Sequence, residues 1–182
     1  VNSEVGIYEI TEHRSPNTDH ILLSVVLAVR NEEENIGRCL ESVKDITDEI
    51  IVFDEHSTDR TREIAKKFGA KVIEVDHEPI FHITKQKAIN KASGEWILQL
   101  DADEIITPQL ANEIKDVMQM SSEEILTREN TDAYKSRLFE RHTKAIVKRD
   151  GPIGKNNGEI AAFFIPRKNM FLGKPLIYAG VY

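Results

Sequence analysis

A single cysteine, Cys39, stands among the 182 residues. One thiol cannot form an internal disulfide framework, which excludes the small cross-linked secreted scaffolds and agrees with a reducing compartment. Cys39 lies in Ile36-Gly37-Arg38-Cys39-Leu40-Glu41-Ser42-Val43, where apolar residues recur at helical spacing. It therefore reads as a buried core thiol rather than a nucleophile. The six histidines show neither H-x-x-x-H spacing nor a cysteine partner, which argues against a zinc site. Positive charge is in deficit, with 24 Lys and Arg against 31 Asp and Glu, a net charge of −7. A nucleic-acid binder that relies on the phosphate backbone is thereby disfavoured. No apolar run is long enough to cross a bilayer. Residues 1–20 hold no stretch of the secretory-signal type, so the expected location is cytoplasmic.

What the chain does contain is three apolar runs that each end in clustered charge. Trp96-Ile97-Leu98-Gln99-Leu100 stops at Asp101-Ala102-Asp103-Glu104. Leu22 to Val29 runs into Arg30-Asn31-Glu32-Glu33, and Glu49 to Phe53 runs into Asp54-Glu55-His56-Ser57. Continuous apolar runs of this length read as buried parallel strands. Asp is a poor strand residue and costs free energy if buried without a partner. Two of them, one residue apart at a strand's end, call for a hydrated cleft and a hard cation. Mg2+ and Mn2+ take carboxylate oxygens and often share them with a diphosphate. In an open parallel sheet, ligands bind beyond the carboxyl ends of the strands.

Between these runs the periodicity switches to that of helices. Helices are expected from about Glu34 to Val43, from the capping stretch Thr58-Asp59-Arg60-Thr61 through Lys67, and before Gly94 with Ile83, Ala88, Ile89 and Ala92 inward. Gly69 stops the second of these, and a strand Lys71–Val75 follows it. Thr107-Pro108 reads as an N-cap with proline at the first helical position, opening a helix that faces inward with Leu110, Ile114, Val117 and Met118. Alternating strands and helices predict βαβ units, that is, an α/β fold with a Rossmann-like, mainly parallel sheet flanked by helices. Residues 1–20 read as a polar N-terminal arm and 21–120 as the α/β domain. Residues 121–182 read as a helical insertion followed by the start of a further region of the same domain. Within that last part an amphipathic helix is expected from Asp132 to Arg149. Between Lys135 and Arg149 it carries Lys135, Arg137, Arg141, Lys144, Lys148 and Arg149 against one acid, Glu140. Such a cluster is either a solvated face or a contact for an anionic acceptor or membrane surface, which would place the protein peripherally on the membrane's inner face.

Taken together, Ser24 to Ile36 (SVVLAVRNEEENI), Asp48 to Thr61 (DEIIVFDEHSTDRT) and Gly94 to Glu104 (GEWILQLDADE) resemble the family 2 glycosyltransferases of the GT-A fold. The resemblance covers roughly residues 22–115 and is nearest to the lipopolysaccharide core glucosyltransferase-like branch, which also shows a later segment like Phe171-Leu172-Gly173-Lys174. It implies a metal-dependent, inverting hexosyl transfer from a nucleotide-diphosphate sugar, with UDP as the default carrier. The acceptor would be a hydroxyl of a glycan, glycolipid or lipid-linked molecule in cell-envelope synthesis. It further implies that Ala28, Arg30, Asn31 and Glu32 contact the nucleoside and that Asp54 hydrogen-bonds the base. Asp101 and Ala102 would lie at the donor, with Asp101 on the ribose or the metal, and Asp103 would ligate Mg2+ or Mn2+. Lys85 would either face the donor phosphates or lie on a solvated helix face. The family's general base is usually a carboxylate from a second half, so it is expected beyond Tyr182, and Glu104 is expected to support the metal loop instead. The chain departs from the family's Asp-Asp or Asp-Ser-Gly pattern at Glu55 and His56. Two other catalytic classes fit less well. A haloacid dehalogenase-type phosphatase carries D-x-D on its first strand, and a nucleotidyltransferase opens with a Gly-rich basic loop. A non-catalytic nucleotide-sugar-binding module remains open.

Overall fold

The computed structural model describes residues 6–9, 22–127, 144, 148, 162–165, 170–171 and 174–175. Its elements are β1 (Gly6–Glu9), β2 (Leu23–Val29), α1 (Ile36–Val43), β3 (Glu49–Asp54), α2 (Thr61–Lys67), β4 (Lys71–Glu74), α3 (Phe81–Lys91), β5 (Trp96–Leu100), α4 (Pro108–Met118), α5 (Ser122–Thr127), β6 (Ala162–Phe164), β7 (Met170–Phe171) and β8 (Lys174–Pro175). The chain divides into two compact units, one formed by residues 3–119 with 161–166, the other by 120–160 with 167–182. The first holds a six-stranded sheet in the order β4-β3-β2-β5-β1-β6; the second contains the β7–β8 pair.

The order explains the composition of the strands. All seven residues of β2 and all five of β5 are buried, as are five of the six in β3. Strands covered by helices on both faces have no solvent side to fill with polar residues. β4, at one edge, is correspondingly half exposed. The strands β2, β3, β4 and β5 are mutually parallel, with Val29 opposite Asp54 and Leu27 opposite Leu100. Their carboxyl ends therefore open on the same side. The chain runs outward from β2 to β3 to β4 and then returns to β5 on the other side of β2. That reversal is the topological switch at which such sheets bind ligands. One face of the sheet packs Val26, Ile51, Phe53 and Ile97 against Ala88 and Ala92.

The polar arm expected for residues 1–20 is corrected at Gly6–Glu9. That segment is β1, antiparallel to β5 with Gly6 opposite Gln99 and Glu9 opposite Trp96. The physical reason lies in β5. It is fully buried, and without β1 its outer N–H and C=O groups would have no partners. β6 continues the sheet antiparallel to β1, so residues 162–164 also belong with the first unit rather than with 121–182. Trp96 meets Phe163 at a ring separation of 5.8 Å. The expected helix Asp132–Arg149 lies outside the described residues except for Lys144 and Lys148, which are helical and exposed.

The amino ends of the strands are closed by a polar network. Asp48 accepts from the N–H groups of Leu22 and Leu23, both at 3.0 Å. Glu49 accepts from the Ser24 hydroxyl at 2.6 Å and from the Ser93 N–H and hydroxyl at 3.0 and 2.8 Å. The Ser24 oxygen accepts in turn from Gly94 N–H at 2.8 Å. Partial burial alone would raise the Glu49 carboxyl, but these donors outweigh it and hold it below the ordinary glutamate value. A depressed carboxylate contributes stability that is complete above the unfolded-state value and lost as pH falls through the folded one. Glu49→Gln is accordingly expected to flatten the acid limb of a plot of Tm against pH, with little effect on its slope above neutrality.

Gly94 is required by close approach. A Cβ there would lie 2.7 Å from the Ser24 backbone nitrogen and 2.8 Å from its hydroxyl oxygen. Gly94→Ala is expected to destabilise the protein by roughly 1–3 kcal/mol, as for other overpacked sites, measured by denaturant unfolding.

Candidate functional site

The carboxyl ends of β2 and β3 are laced into one rim. Asn31 sits at φ 55, in the left-handed region that Asn tolerates better than most residues. In this conformation its N–H donates to the Ser57 hydroxyl at 2.9 Å, and its side-chain oxygen accepts from the Thr58 N–H at 2.8 Å. Glu32 N–H donates to the Thr61 hydroxyl at 2.7 Å and Glu33 N–H to the Asp59 carboxylate at 3.0 Å. Desolvation alone would raise the Asp59 carboxyl, but hydrogen bonds from the Thr61 hydroxyl and N–H and from the Glu33 N–H together outweigh it and hold Asp59 below its usual range. Arg30 is exposed, while Ala28 lies inside β2 and is buried.

Asp54 ends β3 and is fully buried. Its Oδ1 accepts from the Ser57 N–H at 2.9 Å and lies 3.6 Å from the Arg62 Nε. Its Oδ2 is buried with no hydrogen-bond partner. An uncompensated acceptor of this kind costs about 1–3 kcal/mol, so it marks a place where a donor is missing. Arg62 also pairs with Glu74 at 2.5 Å and donates to the Ser57 carbonyl at 3.1 Å. It braces the loop from the α2 side. His56, at φ 53, turns its imidazole outward, with Nε2 3.2 Å from Asp76.

The third rim belongs to β5 and α3. Asp101 is half-buried, and its Oδ1 lies 2.5 Å from the Lys85 Nζ. Lys85 is itself buried, its ammonium 5.4 Å from the Phe81 ring centre. The solvated-face alternative for Lys85 is thus corrected: a long cation stays inside only with a counterion, and Asp101 supplies it. Ala102 is buried and Asp103 exposed. Glu104 folds back so that its Oε2 accepts from the Asp101 N–H at 2.8 Å. Beneath this turn the Cys39 thiol is pushed up to about 12, by burial first and then by the charges of Glu104, Asp103 and Asp101. It is inert as a nucleophile at neutral pH.

Among the described residues no three His, Cys, Asp or Glu side chains converge as a closed metal cage. Mg2+ does not need one. It is commonly held by one or two carboxylates, with waters and substrate phosphates completing the shell. The donor set of exposed Asp103 and half-buried Asp101 fits that pattern, with Asp103 the less encumbered of the two.

The sequence model described as glycosyl transferase family 2 matches residues 24–171. The chain belongs to this family. Its four parallel strands flanked by helices are the GT-A nucleotide-diphospho-sugar transferase fold. An uncharacterised glycosyltransferase of Rickettsia typhi is 42% identical over 95 residues, covering 51% of this chain and 32% of that protein. A TPR repeat-containing protein of Synechococcus elongatus is 44% identical over 93 residues, 51% of this chain and 23% of that one. The chain thus spans a quarter to a third of these relatives' length. Among solved structures, glucosyl-3-phosphoglycerate synthase from Mycobacterium tuberculosis, in complex with Mn2+, uridine diphosphate and glucosyl-3-phosphoglycerate, is 25% identical at a TM-score of 0.47. The match covers 63% of this family 2 chain and 49% of that one.

Glu55, the residue after Asp54, pairs with the Thr84 hydroxyl and the His77 ring; Arg62, His77 and Thr84 are not identifiable from sequence as residues that reach the strand ends. They lie on or before helices whose local pattern gives no reason to send them toward the strand ends.

Proposed function

We propose that this chain binds a nucleotide-diphosphate sugar in the crevice above β2, β3 and β5, and that it serves an inverting glycosyl transfer to a hydroxyl acceptor. The observation that carries the reading is the buried, unpartnered Oδ2 of Asp54, held in place from behind by Ser57 and Arg62. A base that offers an imino N–H, such as uracil, supplies the missing donor. Guanine offers such an N–H as well; UDP, the default carrier in the family the chain resembles, meets the requirement and is the proposed one.

Each rim residue has a separable task in this reading. Asn31 shapes the first loop against Ser57 and Thr58, so that Arg30 and Glu32 border the nucleoside. Lys85 supplies positive charge near the diphosphate, and Asp101 keeps that ammonium oriented. Glu104 fixes the turn that presents Asp103. Asp103, with Asp101, would hold Mg2+ or Mn2+. When bound, that ion supplies electrophilic assistance to departure of the nucleoside diphosphate. The acceptor hydroxyl attacks the anomeric carbon from the face opposite the leaving group, and a carboxylate outside the described rim takes its proton. The acceptor is proposed to be a glycan, glycolipid or lipid-linked molecule. Attachment to an anionic membrane through Lys135–Arg149 is proposed with it. No helix among the described residues is long and apolar enough to cross a membrane.

Thermal shift with UDP, GDP, CDP and ADP, each with and without Mn2+, tests the proposal. Ligands that bind only the folded state raise Tm by mass action. UDP with Mn2+ is expected to give the largest shift. No shift from any nucleoside diphosphate would overturn the nucleotide-sugar reading.

A further inference from the structure

The crevice holds a buried carboxylate that neither the base nor the metal accounts for. Glu55 comes directly after Asp54, and its side chain is only 1% exposed. Its N–H donates to the Val29 carbonyl at 2.9 Å, which ties its backbone to the end of β2. Its two carboxylate oxygens reach the other way, toward α3. Oε1 accepts from the Thr84 hydroxyl and Oε2 from the His77 ring Nδ1, each at 2.5 Å. A carboxylate is acceptor-only, so Nδ1 carries the proton in this contact. Burying a carboxylate is costly unless both oxygens are satisfied, and both are.

Thr84 matters because of its neighbour in the chain. It is fully buried in the opening turns of α3 and immediately precedes Lys85. Lys85 in turn reaches Asp101 beyond β5. Two consecutive residues of one helix thus bridge the acidic ends of two different strands, Thr84 to β3 and Lys85 to β5. At the helix start Ile80 makes no side-chain cap, and the first turn contains no acidic residue. Glu55 supplies from another element the negative charge that a helix start favours.

We propose that Glu55 is a positioning residue for the donor diphosphate, acting through Thr84 to set Lys85. This rests on the reading of the crevice as a nucleotide-sugar site. A residue that only stabilised the fold would weaken every nucleotide alike. One that sets Lys85 would weaken diphosphates and spare monophosphates, which do not reach it.

Calorimetry on the 182-residue chain with UMP and with UDP, both with Mn2+, separates these outcomes. Glu55→Gln is expected to weaken UDP roughly tenfold and UMP by less than about twofold, a difference of the size of contact coupling energies. Thr84→Val removes only the hydroxyl and is expected to do the same; it keeps the test decisive if Glu55→Gln folds poorly. In a Lys85→Met background, Glu55→Gln is expected to cause no further loss for UDP. Equal weakening of UMP and UDP, or full additivity with Lys85→Met, would overturn the positioning role. Unchanged UDP affinity in both single variants would overturn it while leaving the nucleotide-sugar reading intact. A parent protein that binds neither UMP nor UDP would remove both.

Discussion

Asp103→Ala is expected to abolish the Mn2+-dependent part of UDP binding while leaving thermal stability unchanged to within about 0.5 kcal/mol, the range of surface substitutions. The expectation combines chemistry with placement. Asp103 is exposed at the turn after β5, so its loss opens no cavity and strands no buried partner. As the freest carboxylate of the D-x-D pair, it is proposed as the principal metal ligand. Asp101, two residues earlier, is expected to behave differently. Its Oδ1 neutralises the buried Lys85 ammonium. Asp101→Ala would leave that charge inside without a partner, and breaking a buried pair from one side costs up to about 3–5 kcal/mol. Calorimetry with UDP at zero and saturating Mn2+, alongside denaturant unfolding of both variants, reads the contrast. Undiminished Mn2+ dependence in Asp103→Ala would remove that residue from the metal site. A large stability loss in the same variant would contradict its exposed placement.

The placement of Asp101 and Asp54 was legible because the runs before them are so apolar. Leu23–Val29, Ile50–Phe53 and Trp96–Leu100 have no polar alternation, and only a parallel sheet covered on both faces accepts such strands. The D-x-D pair then falls at the strand end by necessity. Thr107-Pro108 was equally readable, and the Thr107 hydroxyl does accept from the Leu110 N–H at 3.2 Å. β1 was not. Four residues with a glycine and a glutamate, set in a polar segment, make no strand of their own; the bare edge of β5 recruits them. The start of α3 misled for a related reason. Ile83 was expected inward, but Ile80, Phe81 and Ile83 are exposed while Thr84 and Lys85 are buried. The hydrophobic pattern is inverted there because Glu55 and Asp101 draw the polar residues in. Local rules fail most often where a site overrides them. Arg62 was invisible on different grounds: one arginine in the first turn of a short helix looks like solvent charge until Asp54 and Glu74 are seen around it.

Asp54→Asn is expected to reverse which base the crevice prefers. In the native protein Oδ1 is committed to the Ser57 N–H and to Arg62, leaving Oδ2 as a lone buried acceptor. An asparagine keeps its carbonyl oxygen on the Ser57 N–H, since the alternative would set an N–H against an N–H. Its amide nitrogen then takes the place of Oδ2. A uracil imino N–H would meet a donor instead of an acceptor, and UDP affinity is expected to fall by about 1–3 kcal/mol, the cost of a buried group left unsatisfied. Cytosine carries a bare ring nitrogen where uracil has that N–H, so CDP is expected to gain relative to UDP. Folding stability should change little, because Arg62 keeps Glu74 and the Ser57 carbonyl, and the Ser57 cap survives. Parallel titrations of UDP and CDP against both proteins, with Tm measured alongside, decide the matter. If Asp54 only caps its own loop, the two affinities would move together or not at all, and the acceptor role assigned to Oδ2 would fall.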